Sequence, residues 1–316
     1  MSTIYDVIII GGGPAGLTAG LYAGRAGLNV LILENPIKPS QLLITDYIEN
    51  YPGFPSGISG FELMNNFKKQ IEKFELETKK ENVVSVEKCK SDEFDAWQVN
   101  TDKDKYKALS VIAATGADFR KLDVFGEKKF TGKGVSYCAI CDGAFFKDKE
   151  IMVVGGGDTA VEEAVFLTRF AKKVTIVHRR NRLRAEKIIQ DRALANEKID
   201  FIWDSVITEI SGDIKVSSVK VENVKTQEQT EVACEGVFIF VGYIPNVEYI
   251  KDLVDLDNNN YIITDNNTAC SQSGIFACGD CRSKNLRQIV NACGEGAVSA
   301  YSARKYVEEL KGIEYK

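Results

Sequence analysis

Two cysteines and an aspartate stand together near the middle of the chain, in the run Ser136-Tyr137-Cys138-Ala139-Ile140-Cys141-Asp142-Gly143. Two cysteines separated by two residues support three kinds of chemistry: a redox dithiol, a structural disulfide or half of a metal site. A thiol whose pKa is lowered near a helix start becomes a thiolate that attacks disulfides. The elements on either side of this pair must decide which use applies.

A strand, a glycine turn and a helix near the N-terminus predict a nucleotide-binding unit. The apolar strand 4–10 leads into Gly11-Gly12-Gly13-Pro14-Ala15-Gly16, which is followed by a helix over residues 17–27 and a strand over residues 29–33. Gly11 allows the tight turn, Gly13 lets the backbone approach a pyrophosphate, and Gly16 lets the helix pack on the strand. The N-terminus of such a helix faces the phosphate charge.

The same unit recurs 144 residues later. The strand 151–154 leads into Gly155-Gly156-Gly157-Asp158-Thr159-Ala160, a helix over residues 161–170 and a strand over residues 173–177. Gly155, Gly157 and Ala160 take the positions of the three motif glycines of the first unit. One such motif is a weak signal, but two in the same context predict two dinucleotide sites.

The two units differ at the end of their second strand. Glu34 lies 18 residues after Gly16, and its carboxylate can accept hydrogen bonds from a free ribose 2′-hydroxyl. At the same distance after Ala160 stands His178, followed by four arginines at positions 179, 180, 182 and 184. Guanidinium groups pair with phosphate oxygens in a bidentate way, so this cluster favours a 2′-phosphate. The first site therefore suits FAD or NAD and the second suits NADPH, whereas the alternative for the arginines is a solvated basic helix start.

A redox role for the cysteine pair agrees with these two nucleotide sites. Transfer of two electrons from NADPH to a disulfide needs an intermediary, and a flavin in the first site would supply it. The single histidine of the chain is assigned to the NADPH end, so Asp142 is the nearest candidate proton donor to a leaving thiolate. Its pKa would have to be raised by partial burial. The alternative role of Asp142 is a loop cap.

A zinc site would need two more ligands. Cys278 and Cys281 offer a second pair at the same spacing, but 137 residues separate the two pairs. Asp280, between the latter two cysteines, could bind a polyol chain such as ribityl or could cap a helix.

Composition excludes several classes of protein. The chain has 316 residues, 44% hydrophobic and 27% charged, which is typical of a globular protein of about two domains. Its net charge of −5 and the lack of a long basic stripe argue against nucleic acid as a partner. Glycines, a proline and an arginine interrupt the apolar stretch 7–33, so we expect no membrane helix, and we expect no signal peptide. We therefore expect a cytoplasmic protein in which most of the eight cysteines are free thiols.

Taken together, the chain resembles the low-molecular-weight thioredoxin reductases over essentially its whole length. The motifs that carry the resemblance are the two glycine turns 11–16 and 155–160, the cysteine pair with Asp142, and the shorter runs at 49–54, 114–116, 178–184, 279–280 and 287–288. The position of the pair in the second unit argues against the glutathione reductase type. The resemblance implies a homodimer that uses FAD and NADPH and reduces thioredoxin, with Cys141 beside the flavin, Cys138 as the attacking thiol and Asp142 as the acid.

The resemblance also implies the fold and the binding residues. The fold class is α/β, with two Rossmann-like three-layer domains and the NADPH domain inserted into a discontinuous FAD domain: 1–118 and 247–316 form the FAD domain, 119–246 the NADPH domain, and hinges lie near 117–120 and 244–247. The implied FAD residues are Gly11, Gly13, Pro14, Ala15, Gly16, Glu34, Gln41, Asn50, Val83, Thr115, Gly116, Asp280, Arg287 and Gln288. The implied NADPH residues are Gly155, Gly157, Asp158, Thr159, Ala160, His178, Arg179, Arg180, Arg184 and Gly242.

One loop departs from the family. Pro39-Ser40-Gln41 stands in a shortened loop where the family usually has Gly-Gly-Gln, which leaves the exposure and the redox potential of the flavin open. For Cys278 and Cys281 we expect one core cysteine and one surface cysteine rather than a second disulfide.

Other functions remain to be separated by experiment. The acceptor could be another small dithiol protein or a peroxiredoxin-linked protein, or a ferredoxin could replace NADPH as the donor. The arginine cluster argues against the ferredoxin donor. A nucleotide-sensing or metal-binding protein without turnover is the non-enzyme alternative.

Overall fold

The fold is that of a computed structural model, which describes residues 4–38, 40–45, 48–90 and 94–313. The chain divides into two compact units. Unit 1 consists of Met1–Asp118 and Ile244–Lys316, and unit 2 is the intervening segment Phe119–Tyr243. Among the described residues, no helix combines the length and the apolar character needed to cross a bilayer.

The chain contains both strands and helices, and two long runs of strands have no helix between their members. The strands are β1 Ile4–Ile10, β2 Val30–Glu34, β3 Glu77–Lys80, β4 Val83–Lys90, β5 Asp95–Thr101, β6 Lys105–Ala113, β7 Ala117–Phe119, β8 Val135–Ser136, β9 Glu150–Val154, β10 Lys173–Val177, β11 Ile199–Ile202, β12 Ser205–Gly212, β13 Val216–Asn223, β14 Gln229–Ala233, β15 Gly236–Ile239, β16 Tyr243–Pro245 and β17 Ile275–Ala277. The helices are α1 Pro14–Arg25, α2 Gly60–Glu72, α3 Glu127–Phe130, α4 Ala139–Asp142, α5 Asp158–Leu167, α6 Lys187–Leu194 and α7 Ile289–Leu310.

Unit 1 is built on one mixed sheet with the strand order β3-β2-β1-β6-β5-β4, to which β17 adds by pairing with β6. The strands β1, β2, β3, β6 and β17 pair in parallel, whereas β5 pairs antiparallel with both β6 and β4. Successive residues of β1 enter different cores: Val7 and Ile9 pack with the helices, and Ile8 and Ile10 pack on the opposite face. This alternation makes β1 the buried centre of three layers.

Unit 2 repeats the plan on a smaller scale. Its sheet has the order β11-β10-β9-β15-β8 and all of its pairings are parallel. Ile151 and Val153 of β9 face the core beneath α5 and α6, whereas Met152 and Val154 face the three-stranded antiparallel sheet β12-β13-β14. The strand β9 therefore lies at the centre of unit 2, and the glycine turn follows its carboxyl end.

The two points where the chain passes between the units lie in short strands. The first lies between Asp118 and Phe119 in β7, and the second between Tyr243 and Ile244 in β16. β7 and β16 pair as a two-stranded sheet.

Candidate active site

The cysteine pair forms a disulfide in unit 2. Cys138 and Cys141 are bonded through their Sγ atoms, with their Cα atoms 5.4 Å apart. Cys138 caps the start of α4, and the backbone N–H of Cys141 donates to Cys138 Sγ at 3.2 Å. Cys141 is exposed and Cys138 is half-buried. Because an N–H donor stabilises a thiolate, this contact favours ionisation of Cys138 once the disulfide is reduced.

Ser136 holds the backbone of Cys138 in place. Its hydroxyl accepts a hydrogen bond from the Cys138 N–H at 3.0 Å and donates to the Cys138 carbonyl at 3.1 Å. Ser136 is only 4% exposed, so these bonds are shielded from water. The junction between β8 and α4 is therefore fixed by a side chain whose role the sequence motif did not indicate.

Asp142 directly follows the disulfide, at the end of α4. It is half-buried and makes no side-chain capping hydrogen bond to the short 3₁₀ turn of residues 143–146 that it precedes. The loop-cap role of Asp142 is therefore not seen in the structure.

The first glycine turn is shaped by close backbone contacts. Gly11 has a φ of +123°, and a β-carbon on it would lie 2.2 Å from the Ala114 carbonyl oxygen. A β-carbon on Gly16 would lie 1.9 Å from the Gly11 carbonyl oxygen. These two glycines are required by the protein's own packing. Gly13 differs, because the nearest atom to a β-carbon there is Ser40 Oγ at 3.5 Å.

The space above Gly13 is where the pyrophosphate of a dinucleotide is expected. Gly13 is the N-cap of α1, its backbone is extended, and no side chain caps the helix. Pro14 and Ala15 form the first turn of α1. No side chain caps the N-terminus of α1, and packing within the protein does not require a glycine at position 13. Both observations fit a phosphate group bound at this N-terminus.

Glu34 lies at the end of β2 beside the turn. A β-carbon on Gly12 would meet its side chain at 2.4–2.6 Å, so the carboxylate packs directly against the turn. Lys68 of α2 makes an ion pair with Glu34 at 3.2 Å. Sequence reasoning missed Lys68 because α2 was not predicted.

Two of the implied FAD residues, Thr115 and Gly116, closely follow the carboxyl end of β6, and two others lie on neighbouring elements. Thr115 Oγ1 donates to the Asn246 carbonyl at 2.6 Å, and Gly116 has a φ of +65°. Gln41 Nε2 donates to the Ala117 carbonyl at 2.5 Å. Val83 is half-buried at the start of β4. The backbone from residue 115 to 117 is thus held from two sides.

The structure brings two other members of this set into contact, and it places a third against an aromatic ring. Asn50 Nδ2 donates to Gln288 Oε1 at 3.2 Å. Arg287 stacks its guanidinium 4.0 Å from the centre of the Tyr261 ring, and its Nε is buried without a hydrogen-bond partner. Ordered donors that lack partners are typical of a site that binds a ligand.

Asp280 belongs to a buried ionic cluster that the sequence did not reveal. Its Oδ1 lies 3.1 Å from Lys284 Nζ but accepts no hydrogen bond. Lys284 also pairs with Glu295 of α7 at 3.2 Å, and Glu295 is only 8% exposed. Glu295 further accepts from the Gly279 N–H at 2.8 Å. The N-cap of the 3₁₀ turn 279–281 is Cys278 and not Asp280, so the structure does not support a capping role for Asp280.

The second glycine turn has the same construction. Gly155 has a φ of +147°, and a β-carbon on it would lie 2.4 Å from the Phe240 carbonyl oxygen and 2.6 Å from Ala160 Cβ. A β-carbon on Gly157 would meet only Arg184 Nη2 at 3.7 Å. Gly157 is the N-cap of α5 and again no side chain caps the helix. This turn therefore also has room for a pyrophosphate.

Three further implied NADPH residues lie close to this turn or at the end of unit 2. Asp158 Oδ1 accepts a hydrogen bond from the Glu186 N–H at 2.7 Å. Thr159 Oγ1 lies 3.3 Å from Tyr243 Oη. Gly242 has a φ of +114° with open space around it, and it is exposed.

The end of β10 carries one buried imidazole and several exposed arginines. His178 is 5% exposed, and its ring lies against Gly156 as Glu34 lies against Gly12. Burial lowers the pKa of His178, and Arg184, Arg179 and Arg180 lower it further by repulsion. The three arginines are exposed. The positive charge of this region therefore comes from the arginines and not from His178.

The expectation for the second cysteine pair was wrong. Cys278 and Cys281 are both free and both fully buried, rather than one in the core and one at the surface. Burial raises the pKa of Cys281 to about 11 and that of Cys278 further. Cys281 Sγ donates to the Cys278 carbonyl at 3.3 Å, so its thiol acts as a core group. Within the part of the chain that the structure describes, no group of three or more His, Cys, Asp or Glu side chains could hold a metal ion.

The unusual loop after β2 is only partly described. Pro39 lies outside the described residues. Ser40 accepts a hydrogen bond from the Leu42 N–H at 3.3 Å and so begins a 3₁₀ turn over Gln41–Ile44.

The chain is similar in sequence and in structure to known proteins. The chain matches the family described as "Pyridine nucleotide-disulphide oxidoreductase" over residues 5–296. It is 48% identical over 309 residues to a thioredoxin reductase of Listeria innocua, covering 98% of this chain and 95% of that protein. It is also 48% identical over 309 residues to a thioredoxin reductase of Bacillus subtilis, covering 98% and 96%. Among solved structures, a thioredoxin reductase of Lactococcus lactis has a TM-score of 0.92 and 48% identity, covering 96% of this chain and 99% of that one.

Proposed function

Because the chain belongs to the pyridine nucleotide-disulphide oxidoreductase family, we propose that it is an NADPH-dependent thioredoxin reductase. Electrons pass from NADPH through FAD and the Cys138–Cys141 pair to the disulfide of thioredoxin. The observation that carries this function is the disulfide itself, which is formed, partly exposed and placed just before the second glycine turn of the same unit.

The two glycine turns fit the two cofactors. In unit 1, Gly13 and Glu34 would hold the pyrophosphate and the ribose of FAD, and Asp280 and Arg287 have buried polar atoms without hydrogen-bond partners that would bind other parts of FAD. In unit 2, the turn at Gly157 would hold the pyrophosphate of NADPH. The exposed arginines after β10 match a 2′-phosphate, which is the group that distinguishes NADPH from NADH.

When bound, FAD supplies the two-electron chemistry that links NADPH to the disulfide. The protein's own residues then perform thiol–disulfide exchange. The Cys138 thiolate, favoured by the Cys141 N–H, attacks one sulfur of the thioredoxin disulfide and forms a mixed disulfide. Asp142 gives a proton to the thioredoxin thiolate that leaves. Cys141 then attacks Cys138 Sγ, which restores the Cys138–Cys141 disulfide and releases reduced thioredoxin.

The assembly and the compartment are parts of the same proposal. We assign a homodimer, supported by exposed aromatic side chains on two helices of unit 1: Tyr22 of α1 is 49% exposed and Tyr301 of α7 is 52% exposed. We assign the cytoplasm, supported by the six free cysteines among the described residues. Sedimentation equilibrium of the purified protein tests the dimer, and a monomeric mass would contradict it.

The test of the function is reduction of thioredoxin by NADPH in the presence of the purified, FAD-loaded protein. Oxidation of NADPH should require both FAD and thioredoxin and should be lost in Cys138→Ser and Cys141→Ser. A panel of other small dithiol and peroxiredoxin-linked proteins identifies a different acceptor if one is preferred. Turnover with reduced ferredoxin but not with NADPH would contradict the donor. A protein that binds nucleotide but reduces no disulfide would contradict the enzyme.

A further inference from the structure

Three aromatic rings meet at the place where unit 2 begins and ends. Phe119, the first residue of the unit, stacks on Tyr137 with the ring centres 6.4 Å apart. Phe119 also packs on Tyr243, the last residue of the unit, at 5.7 Å. Tyr137 directly precedes Cys138 in the chain. This aromatic cluster, Phe119, Tyr137 and Tyr243, therefore joins both ends of the unit to the redox disulfide.

The cluster also touches the second glycine turn. Tyr243 Oη lies 3.3 Å from Thr159 Oγ1, and Thr159 lies in the first turn of α5. A phosphate bound at a helix N-terminus lies against the first turn of that helix, and a threonine hydroxyl in that turn can donate a hydrogen bond to it. A nucleotide that engages the Thr159 hydroxyl therefore competes with Tyr243 for it.

The opposite side of the cluster is held firmly. Tyr137 Oη donates to Glu127 Oε1 at 2.5 Å, and Glu127 is only 3% exposed. The same carboxylate accepts from the backbone N–H groups of Leu122 at 3.0 Å and Asp123 at 2.6 Å. Because these bonds are shielded from water, rotation of the Tyr137 ring away from Glu127 is costly. A displacement of the Tyr243 ring is therefore more easily transmitted through the backbone of Tyr137 to Cys138.

We propose that the aromatic cluster reports occupancy of the second nucleotide site to the dithiol, with Tyr243 as its sensor and Tyr137 as the positioning residue for Cys138. The proposal rests on the NADPH site assigned above. Tyr243 and the nucleotide compete for the Thr159 hydroxyl. Without the nucleotide, Thr159 contacts Tyr243. When the nucleotide binds, Tyr243 is released and the rings repack beside Cys138. The reactivity of Cys138 then depends on whether the nucleotide is bound, before any electron moves.

The test measures the rate at which iodoacetamide alkylates Cys138 in the full-length, FAD-loaded protein. A Cys141→Ser background keeps Cys138 as the one remaining thiol of the pair, and NADP⁺ is used because it delivers no hydride. Alkylation is followed by mass spectrometry of the Cys138 peptide, with and without saturating NADP⁺. We expect NADP⁺ to change the rate about fivefold or more, the range typical of coupled sites. Adding Tyr243→Phe, which removes only the hydroxyl, should bring the ratio to within about twofold of one.

Two controls separate a specific role from a general one. Tyr5→Phe removes a hydroxyl that donates to Glu77 at 2.6 Å in unit 1, and it should leave the NADP⁺ effect unchanged. Thr159→Ser keeps the hydroxyl that Tyr243 contacts and should preserve the effect, whereas Thr159→Val should lose it.

The outcomes distinguish this inference from the proposed function. Calorimetry measures NADP⁺ binding to each variant. Binding without any effect on Cys138, or an undiminished effect in Tyr243→Phe, overturns the role of the cluster and leaves the function intact. A protein that binds no NADP⁺ overturns both.

Discussion

Gly156→Ala should destabilise unit 2 through one identifiable collision. A β-carbon at residue 156 would lie 2.5 Å from Cε1 and Nδ1 of His178 and 2.7 Å from its Cγ. The imidazole is 5% exposed and cannot swing into solvent without leaving its place in the core. Overpacking of this kind lowers the free energy of unfolding by about 1–3 kcal/mol.

The same substitution should reverse its effect when the ring is removed. Gly156 is not among the glycines with positive φ, so its backbone accepts a side chain. In a His178→Ala background the collision is gone, and the alanine restricts the unfolded chain. Gly156→Ala should then raise the free energy of unfolding by about 0.4–1 kcal/mol. The coupling between the two substitutions is thus about 1.4–4 kcal/mol, far above the error of a double-mutant cycle.

The assay uses the distribution of the two tryptophans. Trp97 lies in unit 1 and Trp203 in unit 2, so a Trp97→Phe background makes fluorescence report on unit 2. Urea unfolding of the four members of the cycle gives the coupling. If Gly156→Ala has the same effect with and without the imidazole, the packing of His178 under the turn is refuted.

Three other changes test the second nucleotide site. Gly157→Ala should change the free energy of unfolding by no more than about 0.5 kcal/mol, because the added β-carbon meets no atom closer than 3.7 Å. The same change should weaken NADP⁺ binding about tenfold or more in calorimetry, because the methyl group fills the place of the pyrophosphate. Arg179→Ala combined with Arg180→Ala removes two charge-assisted bonds of about 1.5 kcal/mol each, so the preference for NADPH over NADH in kcat/KM should fall about 100-fold with the NADH value unchanged. The pKa of His178 is lowered in the folded protein, so the unfolded chain protonates this histidine at a higher pH than the folded chain does. The free energy of unfolding should therefore fall as the pH drops below about 6.5. Urea unfolding at pH 7.5 and 5.5 should show a smaller loss in His178→Ala, and an equal loss in both proteins would contradict the burial of a neutral ring.

Much of this site follows from local sequence patterns. The strands Ile4–Ile10 and Lys173–Val177 have the bounds that their patterns predict. The helices α1 and α5 begin three residues earlier than predicted, since the helix starts directly after the third glycine of each turn rather than at the first run of apolar residues. Proline is well suited to that first helical position, so Pro14 was the available signal.

The helix α2 was missed although its sequence carries a start signal. Ser59 accepts a hydrogen bond from the Glu62 N–H at 3.1 Å, and serine followed three residues later by glutamate is the pattern of a capping box. Recognising it would have predicted the helix that carries Lys68, but not the contact of Lys68 with Glu34, which depends on how α2 packs against the sheet.

The ionic cluster around Glu295 could not be predicted from local patterns. Glu295 lies on a helix face that otherwise buries small residues, and its partners Lys284 and Arg282 precede the helix in an irregular segment. A buried carboxylate is tolerated only when charges and N–H donors surround it. Those partners come together through the packing of α7 beside the turn that carries Asp280, so the signal is tertiary.

We propose that cofactor choice is encoded beside the two glycine turns rather than in them. In both units the second glycine of the turn has no room for a β-carbon, because a side chain at the end of the neighbouring strand, or directly after it, lies against the glycine: Glu34, the last residue of β2, against Gly12, and His178, the residue after β10, against Gly156. The backbone construction is shared, so the turns themselves cannot distinguish one dinucleotide from another. The distinction lies in the charge of that side chain and its neighbours. Glu34 places a carboxylate where a 2′-phosphate would be repelled, even with Lys68 beside it. In unit 2 a neutral imidazole takes the same place, so the three exposed arginines determine the electrostatic potential there. That positive potential attracts a 2′-phosphate.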